Sequence, residues 1–115
     1  MNINYNPVSF NKANPKFADK LEKKSLKVVE RSGELAKFYK DSSKFLKRDI
    51  SKDSYLSNTQ KVIDSIDKKN VRLNKKEVGF FRNLETTINI YPKNEISTKY
   101  LDNLLETFFF KPVEK

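Results

Sequence analysis

Lys16, Lys20, Lys23, Lys24, Lys27 and Arg31 recur at steps of one, three and four residues. At about 100° per residue on an α-helix, these six cations share about 100° of arc. Asp19, Glu22 and Glu30 interrupt them only at the edge. A half-cylinder of ammonium and guanidinium groups can meet phosphates or carboxylates, but it carries no nucleophile or proton shuttle. The competing reading is a solvated face whose lysine stems lie over neighbouring apolar surface. A second set, Lys68, Lys69, Arg72, Lys75 and Lys76, puts five cations in nine residues with no acid between them. Lys68 and Lys69 suit the end of one helix, whereas Lys75 and Lys76 fall at the start of the next, where the dipole is already positive. Free amides and two lysines at a helix start suit an anion such as phosphate. A plain run of solvated charge accounts for the same residues.

Chemistry beyond charge finds little to work with. Cysteine and histidine are both absent, which excludes disulfides, thiolate or imidazole metal sites and every triad built on them. Ser9-x-x-Lys12 and Ser65-x-x-Lys68 have a Ser–Lys spacing, but among 20 lysines it arises by chance. Asp64 and Asp67 share a helix face without a third ligand, and glycine only at 33 and 79 makes no phosphate loop. The expectation is a protein with no catalytic residues, no metal, no cofactor and no small-molecule substrate. Nine Phe and five Tyr offer stacking platforms for bases. Most of them fall on apolar stripes, so core packing is expected for all but Tyr5, Phe10 and Phe110.

The elements that would carry the cations follow from periodicity. Phe17, Leu21, Val28, Leu35, Tyr39, Leu46 and Ile50 keep helical phase within roughly 60° of arc. With Asn14 as N-cap and Pro15 at the first position, one helix over 15–50 is expected, about 54 Å long. Ser32-Gly33 is its weak point, because Gly costs about 1 kcal/mol against Ala in a helix interior. The stripe holds phase across it, which favours a kink or none over a break. Three shorter helices are expected over 54–69, 75–91 and 98–110. Asp53 or Ser54 would start the first, an Asn74–Glu77 capping box the second and Ser97 the third. Phe80, Phe81, Leu84, Ile88 and Tyr91 would be buried on the second of these. The fold class is therefore all-α, a small bundle of about four helices with one long N-terminal helix. Residues 1–14 read as a flexible, extended arm and 15–115 as a single domain, the size one core can support.

Charge and hydropathy bound the function. The net charge is +9, and residues 1–76 carry 19 Lys and Arg against 9 Asp and Glu, whereas residues 77–115 carry 5 against 6. Lysine, asparagine and isoleucine excess is also what AT-rich coding produces, so compositional drift and selected binding both account for the charge. No apolar run reaches the roughly 18 residues of a membrane span and no hydrophobic leader is present. The expectation is a soluble cytoplasmic protein without integral membrane association. The leading reading is a non-catalytic interaction module, such as an inhibitor, adaptor or assembly factor, docking the basic face of the long helix on an acidic protein surface. The alternative is a sequence-nonspecific DNA or RNA binder using both basic sets. Its composition is against it, since base contacts favour Arg, Asn and Gln. A third reading lays the amphipathic helix on a membrane surface. A homodimer paired through the long helix is a further option.

Overall fold

The long apolar stripe is folded in half. A computed structural model describes residues 15–110, so the expected arm over 1–14 and the cap at Asn14 lie outside the described residues, as do 111–115. Among the described residues there are five α-helices: α1 (Pro15–Val28), α2 (Gly33–Leu46), α3 (Lys52–Lys69), α4 (Lys75–Ile90) and α5 (Thr98–Phe110), with a short 3-10 turn over Lys93–Glu95. The expected single helix over 15–50 is thus two helices, and the count is five rather than four. α1 and α2 form an antiparallel hairpin. Lys47 just beyond the end of α2 reaches Asp19 (3.5 Å) and Glu22 (3.1 Å) in the first turns of α1.

The break has local and global causes. The N–H groups of Arg31 and Ser32 both bond to the Val28 carbonyl (2.9 and 3.1 Å), closing α1. Ser32 is extended, and its hydroxyl accepts from the Glu34 amide at 3.1 Å, so it caps a new helix that begins at Gly33. In this place Gly33 no longer occupies a helix interior, and its penalty is avoided. The larger gain is burial. Ala18, Leu21 and Val28 of α1 and Leu35, Tyr39 and Leu46 of α2 are all buried once the halves face each other, whereas a straight rod would leave the first half of the stripe in water. Val28 and Leu35 are seven residues apart, a spacing that two turns of one helix and a short turn between two inward-facing helices satisfy equally well. The stripe that a dimer through a long helix would use is buried within the chain.

α2 is the hub of the core. The Phe38 ring meets Phe81 at 4.7 Å, Phe80 at 5.3 Å and Phe108 at 6.4 Å, joining α2 to α4 and α5. On the α3 side Phe45 stacks on Tyr55 at 4.6 Å, and the Ser42 and Tyr55 hydroxyls pair at 2.7 Å. α3 is capped by Ser51, slightly before the expected Asp53 or Ser54, and ends at Asn70 in the left-handed conformation (φ 56°). The Asn74–Glu77 capping box starts α4, and Ser97 accepts from the Tyr100 amide in the first turn of α5. Tyr91, expected to be buried, is exposed. It follows the last helical residue, where Pro92 ends the helix.

Candidate docking surface on the helical hairpin

The structure divides the expected basic face of α1. Lys16, Lys20, Lys23 and Lys27 are exposed. Lys20 lies over the Phe110 ring at 5.0 Å and Lys24 over the Tyr39 ring at 5.6 Å. Arg31 makes a bidentate pair with Glu77, both contacts 2.8 Å. This flank of α1 therefore turns toward α4 and α5. α5 has no basic residue in its own last turn. Lys20 and Lys76 come to that end from α1 and α4 and complement its negative pole.

The second expected site separates as well. Lys69 pairs with Glu34 of α2, while Lys68, Arg72 and Lys75 stay exposed. Lys76 points its ammonium at the Phe109 carbonyl (3.4 Å) and the Phe108 ring (5.4 Å). Burial, with Lys24 close by, pulls its pKa below the usual lysine value. Lys24 and Lys76 come from the two different sets, and the fold brings them together. The anion place at the start of α4 is filled from within. Glu77, 1% exposed, accepts from Arg31, from the Tyr39 hydroxyl at 2.7 Å and from the Asn74 amide at 3.0 Å. Burial alone would raise the Glu77 carboxyl, but the Arg31, Tyr39 and Asn74 hydrogen bonds outweigh it and hold the pKa below its ordinary value. Burial, reinforced by the Glu77 carboxylate, pushes the Tyr39 phenol well above its ordinary value. The cluster ties the α1–α2 turn, α2 and α4 together. The capping box signals Glu77 in the sequence, but its partner Arg31, 46 residues away, has no local signature.

The other side of the hairpin carries no packed helix. There α1 and α2 bound a groove of about 430 Å³, lined by Ser25, Leu26 and Val29 of α1 and its following turn and by Gly33, Ala36 and Lys40 of α2. Lys37 and Lys44 extend the same edge, and Asp41 pairs with Lys37 at 3.3 Å. Leu26 is 75% exposed and Val29 57%, two of the most exposed large apolar side chains among the described residues. A Cβ built on Gly33 meets nothing within 4 Å, so the groove floor is open. Comparison with protein-family models, curated proteins and solved structures finds no match. The groove's own chemistry must therefore carry the reading. It offers hydrocarbon on one wall and a row of ammonium groups on the other. The groove has no compact signature in the sequence, because Leu26 and Val29 lie off the main stripe and Lys37, Lys40 and Lys44 are spread through a mixed segment. Two large apolar residues outside the stripe, beside a turn signal at Ser32-Gly33, were the available sign.

Two other depressions lie elsewhere. A cleft of about 430 Å³ at the α4–α5 corner is lined by Thr87, Tyr91, Glu95, Ile96, Ser97 and Tyr100. A crevice of about 160 Å³ between α3 and α4 has Ile63, Ile66, Val78 and Phe81 on its walls. Among the described residues no three acidic, His or Cys side chains are grouped to hold a metal ion, and no helix is long and apolar enough to cross a membrane.

Proposed function

We propose that the protein is a non-catalytic interaction module that docks the uncovered side of its α1–α2 hairpin on an acidic partner protein. One observation carries the reading: exposed Leu26 and Val29 stand beside Lys37, Lys40 and Lys44, on the side of the hairpin away from the core. Exposed apolar side chains bordered by cations make a surface that gains from dehydration and from charge pairing together. Nucleic acid is the poorer fit, because a phosphate backbone would leave Leu26 and Val29 without apolar partners while using only one wall of the groove.

The test uses labelled poly-glutamate and duplex DNA of matched charge, titrated by fluorescence anisotropy over a range of salt. The comparison protein is the triple variant Lys37→Glu, Lys40→Glu, Lys44→Glu. Poly-glutamate affinity is expected to fall about tenfold or more in the variant. Equal affinity for both proteins overturns the proposal. DNA bound tighter than poly-glutamate, with a log–log salt slope of about −0.9 per phosphate neutralised, replaces it with the nucleic-acid reading.

A further inference from the structure

Resting on that reading, we infer that the groove's occupant is an acidic amphipathic α-helix, laid along the hairpin as its third member. Three observations narrow the partner to this shape. The lining includes the small residues Ser25, Gly33 and Ala36, and small residues are what let a helix axis approach two others closely. The basic wall is a helical row: Lys37, Lys40 and Lys44 are spaced i, i+3, i+7 along α2, spanning about 10 Å at 1.5 Å per residue. Carboxylates at the same spacing on a facing helix meet that row in register, whereas an extended chain, at about 3.3 Å per residue, passes the same distance in three residues. Leu26 and Val29 complete the fit, since an amphipathic helix presents apolar side chains at i, i+3, i+4 and i+7 to such a wall.

Charge complementarity fixes the sign. The lining holds Lys37, Lys40 and Lys44 against one acid, Asp41, which Lys37 already pairs. On the outer side of α1, Asp19 and Glu22 are held by Lys47. Lys40 and Lys44 are therefore the α2-wall cations with no acid in the groove, and a basic or neutral helix would have nothing to offer them. α2 is 14 residues long, so a partner helix of about the same length, near 20 Å, covers the groove.

The experiment is a selection from a displayed library of helix-favouring peptides of about 18 residues against the full-length chain, followed by affinity measurement on three variants. Gly33→Trp fills the groove from a position with open space above it, Leu26→Asp removes the apolar wall at an exposed site, and Lys37→Glu with Lys40→Glu and Lys44→Glu reverses the basic wall. The inference expects selected peptides to be acidic and amphipathic, to gain helical circular dichroism on binding, and to lose about tenfold or more in affinity to all three variants. Acidic peptides that lose affinity only to the lysine variant overturn the helix in the groove and leave the acidic-partner reading standing. Acidic peptides bound in extended form overturn the helix alone, and basic or neutral peptides, or none, overturn both.

Discussion

The two flanks of α1 start from similar material and end in different uses. Toward α4 and α5, Lys20 and Lys24 of α1 lie over aromatic rings and Arg31, in the turn that follows, holds a buried carboxylate. On the opposite flank Leu26 and Val29 face water across a groove walled by lysines of α2. Part of the densest positive charge in the sequence thus packs within the fold, and the proposed docking surface lies on the barer flank. Cations alone do not mark an interface. The proposed interface is marked instead by uncovered apolar surface beside Lys40 and Lys44, which meet no acid in the groove.

The contrast predicts that substitutions on the covered side act on stability and those on the bare side act on binding. The largest loss is expected from Phe38→Ala. Phe38 is fully buried and touches rings from α4 and α5, so its removal should cost about 3–5 kcal/mol in chemical denaturation. A loss below about 1 kcal/mol would mean that the hairpin does not pack on α4 and α5 as described.

Glu77→Leu comes next, at about 3 kcal/mol. It leaves the buried Tyr39 hydroxyl without an acceptor and removes the α4 capping box. Arg31 is a third exposed and can turn to water, which keeps the cost below that of a fully buried pair. The pH dependence has a definite sign. The Glu77 pKa in the fold lies below its ordinary 4.5, so its contribution is fully present above that value and is lost as pH falls through the folded pKa. The stability gap between wild type and Glu77→Leu should therefore be constant near neutrality and narrow below about pH 4.5, as read from urea midpoints. A gap that widens on acidification contradicts the Arg31–Tyr39–Asn74 cradle.

Much of this architecture is legible in the sequence where signals are local. The Asn74–Glu77 box, the Pro92 stop and the Ser97 start place α4 and α5, and the stripe Tyr55, Thr59, Val62, Ile66 is buried on α3. The hairpin is not legible from phase alone, because a seven-residue step from Val28 to Leu35 fits a straight helix as well as a turn. Tertiary burial decides between them, and burial is absent from a wheel diagram. The cations fail for the same reason: whether Lys24 faces solvent or Tyr39, and whether Arg31 finds Glu77, depends on helices that arrive later in the chain.

Gly33→Ala should raise stability by about 0.4–1 kcal/mol, since the backbone there is ordinary helix, the added Cβ has open space and the unfolded chain loses freedom. Thermal unfolding checks it. A destabilised variant would show that the helix does not restart at Gly33 and that the groove floor is shaped differently.

The smallest effect on stability belongs to Leu26→Ser and Val29→Ser. At 75% and 57% exposed, these side chains have little burial to lose, and each change should stay within about 0.5 kcal/mol in denaturant titrations. A loss of about 2 kcal/mol for the pair would mean that something in the full chain already covers them, and the groove would then be part of the core. If the pair instead leaves stability unchanged while weakening capture of an acidic helix, opposite results on the two flanks of one helix separate the residues that build the fold from those that serve it. Because the substitutions leave all three lysines of the α2 wall in place, a binding loss here is assigned to the apolar contact, and charge screening by salt should not reproduce it.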